Sequence, residues 1–393
     1  MAIIRVGKID KNMIPILVGC IFCFANRLLN QYDGTLLFKN PIITNIFISI
    51  SKLFTIIPFI ILKIRTNKIY NTDIQNMKGA NNSKYIYTNK QKIIVQGKWK
   101  FLLLSAIIFF IQSIIFVYAF KIKTNAWIWN ILITSIFYYW IFKIKLYKHH
   151  YLSIFLIILI GFIIDIVTGN FKNDITNDLT FLLFRFIREI LYSFHDVIDK
   201  YIMEKKFCSI YDISLSNGVI TLILLGIFTI FDYYYFGLDD YNKYFTEFNL
   251  KEFFVVIGVM ISQLGLFLSL LMTNRNNSPC HIFIIFVFGQ LAYYIDFSSN
   301  SIIIIICLIF ILFISLIFNE IIEINIFGLS DNTKRNISFR AENEDTTLYN
   351  NNEDNEDIEN MTIGNEENKY YLVEQNILND EPDEEGIKNR NIN

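Results

Sequence analysis

Charged residues are scarce in this sequence. Asp, Glu, Lys and Arg make up 18% of its 393 positions, whereas hydrophobic residues make up 53%. Soluble domains carry roughly 25% charged residues, and the mean hydropathy here is positive, at +0.40. This composition excludes an ordinary soluble domain and indicates a protein that folds in a membrane.

Cysteine is also rare, with five residues in the whole chain. So few cysteines in so long a chain do not form a disulfide framework. Cys20 and Cys23 have CxxC spacing, but no second Cys or His pair completes a metal site, so we interpret them as packed helix surface. No small-residue cleavage site follows the first apolar run, which we therefore expect to remain as a span.

Ten apolar runs have about the length of a transmembrane helix, for which about 20 residues are needed. They are residues 13–29, 42–62, 101–120, 125–142, 151–168, 180–199, 213–236, 252–272, 279–296 and 301–319. The pattern predicts an all-α polytopic membrane protein of about ten spans. Several runs have only 17 to 19 residues and contain polar side chains, which favours a thin endomembrane or a wet bundle interior.

The charges between the runs predict the orientation, because Lys and Arg gather on the cytosolic side of short loops. With a cytosolic N-terminus, 22 basic residues fall on the cytosolic side and six on the other. We therefore expect both termini in the cytosol and an even number of spans. All four Asn-x-Ser/Thr sequons then lie in cytosolic segments, namely Asn81, Asn276, Asn336 and Asn360.

The C-terminal segment differs from the rest of the chain. Residues 341–393 hold 16 acidic and three basic residues, a net charge of −13, and few large apolar side chains. We predict three regions: 1–170 with a cytosolic loop over 63–100, 171–330, and a disordered acidic cytosolic tail over 331–393.

One part of the sequence carries a family resemblance. Residues 124–130 (TNAWIWN) and 138–145 (YYWIFKIK) are followed by the Gly-containing run 151–165. This stretch resembles the fourth span, charged turn and fifth span of the drug/metabolite transporter superfamily, with the solute carrier 35 branch most similar. The resemblance implies two inverted five-helix repeats around a cavity lined by spans one to four and six to nine. The Gly-Ala-Leu-Asn-Lys signature of nucleotide-sugar carriers is absent, which leaves the substrate class open.

Span six carries a polar stripe within a helical arc of about 120°. The stripe consists of Arg185, Arg188, Glu189, Tyr192, His195, Asp196 and Asp199. It either lines a translocation pathway, with the arginines attracting an anionic group, or neutralises itself through an Arg185–Glu189 pair. We favour the pathway for Arg188 and Glu189, and we expect Asp199 at the interface near Lys200.

Lys52 lies near the middle of span two without an acidic neighbour on that helix. It either binds a phosphate or carboxylate of the substrate or pairs with Glu189, and the sequence favours neither. Neutral polar side chains at mid-depth either bind a ligand or join helices. They include Gln112, Asn130, Asn217, Gln263 and Gln290.

The function that these features favour is secondary transport or exchange of a small polar, anionic metabolite, nucleotide-sugar-like or related. No GxxxxGK[ST] loop is present to bind ATP. One alternative is a membrane-embedded enzyme that uses His195, Asp196 and Asp199, although these lack a metal or nucleophile arrangement. Another is a non-transporting sensor or sorting protein.

We expect no enzymatic activity, no cofactor and no metal, and we interpret His149-His150 and Asp239-Asp240 as solvated loop charge. The expected partners are the small-molecule substrate and the lipid bilayer, without nucleic acid. A homodimer and sorting proteins that bind the tail are further partners to test. The short spans favour the Golgi, endoplasmic reticulum or vacuolar membrane.

Overall fold

The computed structural model places a defined part of the chain. It describes residues 4–6, 11–30, 36–64, 98–119, 126–168, 179–206, 208–237, 239–294, 299–324 and 333. All of them belong to one compact unit, Met1–Thr333. Most of the predicted loop 63–100 and nearly all of the predicted tail 331–393 lie outside the described residues.

Each of the ten predicted apolar runs coincides with a helix. The helices are α1 (Ile14–Asn30), α2 (Pro41–Leu53, continued over 56–64), α3 (Lys98–Ala119), α4 (Asn130–Phe142), α5 (Lys148–Thr168), α6 (Leu179–Lys206), α7 (Ile210–Phe231), α8 (Leu250–Asn276), α9 (Ile282–Gln290) and α10 (Ser299–Phe318). Two short helices, Leu36–Lys39 and Tyr241–Glu247, precede α2 and α8.

Seven helical segments of the described chain are long and apolar enough to cross a membrane. They are Lys11–Leu29, Pro41–Ile64, Lys98–Val117, Lys148–Thr168, Ile210–Phe236, Leu250–Asn276 and Ser301–Phe318. Ala126–Phe142 and Pro279–Tyr294 are apolar but shorter, and α6 carries the charged stripe. The prediction of an all-α protein with many membrane-length helices is confirmed.

Local sequence explains where several helices begin. Ser209 and Asp212 form a capping box at the start of α7, and the Asn249 side chain accepts from Glu252 N–H at the start of α8. Pro41 occupies the first turn of α2, where its missing N–H leaves no helical bond unmade.

Each helix packs against at least one other helix of the bundle. α1 packs against α8 and α9, whereas α6 packs against α3 and α4. In addition, α2 packs against α7 and α8, α3 against α7, and α5 against α10. Glycine allows the closest approaches: a Cβ on Gly265 would lie 2.5 Å from the Phe22 ring, and one on Gly218 would lie 3.0 Å from Lys52 Cβ.

A two-stranded antiparallel sheet joins the two ends of this helical unit. Strand β1 (Ile4–Val6) pairs with β2 (Ile322–Ile324), with Arg5 opposite Glu323. The segment after α10 does not continue that helix, because α10 ends at Phe318 and a turn leads into β2. Since β1 precedes α1 and β2 follows α10, the chain enters and leaves the bundle at the same end.

Candidate functional site

Four polar side chains from three helices meet inside the bundle, and we call them the Ser105 cluster. Ser105 of α3 donates to the Asp199 carboxylate at 2.7 Å, and its Oγ lies 3.1 Å from His195 Nε2 and 3.2 Å from Asn217 Oδ1. All four residues are buried, with at most 4% of their surface exposed. Asp199 was expected at the interface, and this was wrong: helices α3 and α7 cover it, and its carboxylate is satisfied by the Ser105 hydroxyl.

The Lys52 ammonium lies beside this cluster between two aromatic rings. Its Nζ is 3.1 Å from the ring centre of Phe109 and 3.8 Å from that of Phe267. It has no hydrogen-bond partner among the described residues, and the Asp199 carboxylate attracts it electrostatically. Cation–π contact offsets part of the cost of burying the charge.

Glu189 is not the partner of Lys52. Its carboxylate accepts from Arg188 at 2.8 Å, so neither the Lys52–Glu189 pair nor the Arg185–Glu189 pair predicted from the sequence is the ion pair that forms. The Arg188 guanidinium also lies 5.7 Å from the ring centre of Tyr192, one helical turn further along α6.

A small cavity of about 40 Å³ opens next to these groups. Its volume fits a few water molecules. It is lined by Phe109, Gln112, Tyr192, His195, Asp196, Asp199, Phe267, Leu270, Leu271, Asn274, Ile282 and Phe286. Within the described part of the chain, the lining combines two carboxylates with aromatic faces and contains no lysine or arginine.

The two arginines of the stripe, Arg185 and Arg188, lie toward its other end. Arg188 precedes Asp199 by eleven residues, which is about 16 Å along a helix. The Arg27 guanidinium of α1 donates to the Tyr293 hydroxyl at 2.6 Å and interacts electrostatically with Arg185 and Arg188. Tyr192 connects the two regions, because it contacts Arg188 and also lines the cavity.

At the other side of the cavity, α6 is bonded to the end of α8. Lys200 Nζ donates to the carbonyls of Arg275 and Asn277 at 3.1 and 2.7 Å, and the Asn274 amide donates to the Asp196 carbonyl at 2.5 Å. Lys200, beside which Asp199 was expected at the interface, is itself buried and 4% exposed. These bonds hold the two helices together beside the cavity.

The other predicted site residues divide into two groups. Gln112 lines the cavity and donates to the Leu191 carbonyl at 2.8 Å, and the Asn130 carbonyl accepts from Ser193 on α6 at 3.3 Å. Gln263 and Gln290 lie outside the cavity lining.

Sequence reasoning missed Ser105 and the aromatic pair around Lys52. One signal for Ser105 was available: it lies seven residues, or two helical turns, before Gln112 and therefore on the same face of α3. No comparable signal marks Phe109 and Phe267, because phenylalanine is common throughout the chain, with 38 residues.

The Ser105 cluster does not assemble an activated nucleophile. Both Ser105 Oγ and the Asp199 carboxylate approach the same ring nitrogen of His195, Nε2, at 3.1 and 3.6 Å. In a Ser-His-Asp triad the carboxylate instead binds Nδ1 and the serine binds Nε2. The cluster is a hydrogen-bonding network that can exchange partners with water or a polar ligand.

Two side chains that were predicted to be solvated are buried, so that interpretation was wrong for them. His149 is 3% exposed and Asp239 is 5% exposed. Asp239 Oδ2 accepts from the N–H groups of Ile42 and Ile43, each at 3.0 Å, at the start of α2. Burial raises the pKa of the Asp239 carboxyl to about 7, and this effect outweighs the two hydrogen bonds, which lower the pKa.

Comparison with known proteins adds no family. No protein-family model matches this chain, and no curated protein matches it. The architecture of the helices and the chemistry of the buried site are therefore what a functional proposal must rest on.

Proposed function

We propose that this chain is a secondary transporter that carries a small polar metabolite across an endomembrane by alternating access. The supporting observation is that Lys52, His195, Asp196 and Asp199 are buried together beside a cavity within the bundle. Placing a charged side chain in a membrane-spanning helix costs about 2.5–3.5 kcal/mol on insertion scales. Such a group is retained where it serves a polar pathway.

The helix pairs support two five-helix repeats. Five can be added to each helix number, with the count continuing from α10 to α1. The pair α1–α8 then becomes α6–α3, and the pair α1–α9 becomes α6–α4. The pairs α2–α7 and α5–α10 become themselves. In transporters built from repeats, the substrate site lies at the repeat interface. The Ser105 cluster joins α3 to α6 and α7 and thus lies at that interface.

The short helices fit the same arrangement. α4 and α9 are the two short apolar segments, and each follows a 3-10 turn, Ala126–Trp129 and Pro279–His281. They occupy corresponding positions in the two proposed repeats, and interrupted segments in corresponding positions are a mark of the binding site in repeat transporters. Together with α6 and the seven long segments, these two helices give ten spans. This even number agrees with the β1–β2 pairing.

The charges of the site bear on the solute. Arg185 and Arg188 supply positive charge at one end of the α6 stripe, and Asp196 and Asp199 supply acceptors in the cavity. This combination suits a metabolite with an anionic group and several hydroxyl or amine donors. Phosphorylated and nucleotide-linked sugars have this chemistry.

Transport is tested with purified protein in liposomes. A thermal-shift screen against nucleotide sugars, nucleotides, phosphorylated sugars, amino acids and peptides selects candidates, because a ligand that binds the folded state raises its apparent stability. Liposomes preloaded with an active candidate should then take up labelled solute faster than empty liposomes. A protein that binds none of these compounds and shows no trans-stimulation would contradict the proposal.

The variant Lys52→Met tests the site. We expect it to reduce uptake to near background, because the ammonium that balances Asp199 is lost, while the protein remains folded, because an apolar side chain of similar length replaces a buried charge. Glu189→Gln should also weaken uptake. Lys63→Met, on the exposed end of α2, is the matched control. Wild-type transport by both Lys52→Met and Glu189→Gln would remove this site assignment.

A further inference from the structure

Three metal-ligating side chains meet at one end of the bundle, away from the cavity. His149 and His150 lie in the first turn of α5, and Glu320 lies just after α10. One ligand atom from each is within 4.8 Å of the other two, and His149 Nε2 is 3.3 Å from Glu320 Oε1. The close packing of α5 against α10 brings these distant parts of the sequence together.

His149 is the most informative of the three. Its side chain is buried, neither ring nitrogen makes a hydrogen bond among the described residues, and Nε2 meets the Glu320 carboxylate only as the ion pair at 3.3 Å. Leaving a buried polar group without a partner is unfavourable, and imidazole is the commonest side chain that binds metals. The His149 ring therefore points to a ligand that would complete its bonding.

His150 is oriented by the backbone. Its Nδ1 accepts from the Tyr147 N–H at 3.1 Å, and its ring centre lies 4.0 Å from that of His149. A neutral imidazole has one nitrogen with a lone pair and one with a proton, and here the lone pair is on the Nδ1 that accepts from Tyr147. His150 therefore binds a metal by exchanging this hydrogen bond for the metal ion.

Glu320 occupies a position that usually favours glycine. It lies just past the end of α10 with φ of 58°, and the N–H groups of Glu320 and Ile321 donate to the carbonyls of Ile317 and Leu316. This is the bonding of a Schellman cap, whose left-handed residue is most often glycine. Glutamate at this position places a carboxylate against His149, although the left-handed backbone conformation is less favourable for glutamate than for glycine.

We infer that His149, His150 and Glu320 form a zinc site that ties α5 to α10. Two imidazoles and one carboxylate are a known zinc ligand set, with a fourth position left for water. A tetrahedral site with bonds of roughly 2.0 Å requires ligand atoms roughly 3.3 Å apart. Small side-chain rotations would bring the three atoms to that spacing.

The test is zinc binding by the purified full chain in detergent, carrying an affinity tag without histidine. Metal analysis and titration calorimetry with Zn²⁺ should give one ion per chain, and Zn²⁺ should raise the apparent Tm. His149→Gln should weaken binding by about tenfold or more, because even the loss of an outer-shell partner of a ligand costs about 10–100-fold in metal affinity. The matched controls are His281→Gln and Glu323→Gln, which remove one histidine and one nearby carboxylate outside the cluster.

Glu320→Gly separates metal binding from folding. Glycine suits the left-handed position at least as well as glutamate, so the variant should be as stable as the wild type without zinc while losing zinc affinity and the zinc-dependent rise in Tm. The absence of zinc binding by the wild type would overturn the site. A zinc affinity of His149→Gln and Glu320→Gly equal to that of the wild type would also overturn it. Neither result depends on transport activity.

Discussion

At the residue scale, Asp239 links the loop after α7 to the first turn of α2. Its carboxylate accepts two backbone N–H groups there, and its own N–H donates to Asp232 Oδ2 at 3.3 Å. Asp232 also accepts from the Tyr241 hydroxyl at 2.8 Å. The pKa of Asp239 is raised to about 7. Burial is the largest cause of this rise, and the nearby Asp232 is a smaller one.

This shift predicts a pH dependence of stability. Below the ordinary pKa of 3.8 the carboxyl is protonated in both folded and unfolded chains, so the full stabilisation is present. As the pH rises toward 7, the unfolded chain has released this proton while the folded chain retains it, so the free energy of unfolding falls. The contribution is at most about 1.4 kcal/mol per pH unit.

The variant Asp239→Asn removes the titration and keeps an oxygen that can accept from Ile42 and Ile43. We expect the Tm of the variant minus that of the wild type to increase between pH 5 and pH 8. Asp240→Asn, at the neighbouring exposed position, should show no such trend. A constant difference for Asp239→Asn across this range would show that the carboxyl titrates elsewhere.

The burial of Lys52 could be predicted from the sequence, whereas its partners could not. Lys52 was singled out because a lysine within an apolar run is conspicuous. Its contacts with Phe109 and Phe267 depend on how α3 and α8 are rotated about their axes, and helices that are apolar nearly all round carry no stripe that fixes that rotation. For the same reason the burial of Asp199 could not be read from α6 alone.

At the element scale, the junction of α6 with the end of α8 closes the bundle beside the cavity. Lys200 bonds the carbonyls of Arg275 and Asn277, where a cation is also favoured by the dipole of α8. Asn277 lies in the turn that leads to Cys280 and α9. If the proposed transport cycle opens the cavity toward this end, we expect these bonds to break.

The variant Lys200→Met should loosen this junction. We expect faster maleimide labelling of Cys280, which is 4% exposed in the closed arrangement, with the modified residue identified by mass spectrometry. Lys205→Met, on the exposed side of the same helix, is the control. Equal labelling rates in the wild type and both variants would show that Lys200 does not hold the junction closed.

The positions of the helices could be predicted from the sequence, because a helix depends on interactions within one segment. Each long apolar run is a helix because backbone groups in a membrane must be paired within their own segment. The pairing of β1 with β2, and of His149 with Glu320, joins residues that are far apart in the sequence. No periodicity within one segment records such contacts, so they were not predicted.

At the scale of the whole molecule, the helical unit begins and ends on one side. The β1–β2 pairing requires this, and the proposed two repeats of five spans agree with it, because they give an even total. The excess of 22 basic residues over six in alternate connections predicts that this side faces the cytosol.

Glycosylation mapping tests this orientation. The natural sequon at Asn81 lies between α2 and α3 and should remain unmodified when the chain is synthesised with microsomes, because glycosylation occurs only in the lumen. A sequon cassette inserted within 169–178, between α5 and α6, should be glycosylated, and the same cassette next to Asn81 should not. If α4 did not cross the membrane, the segment 169–178 would return to the cytosol and the first cassette would stay unmodified. That result would reduce the count of spans before α6 from five to four and would break the equivalence of α4 with α9 on which the repeat assignment depends.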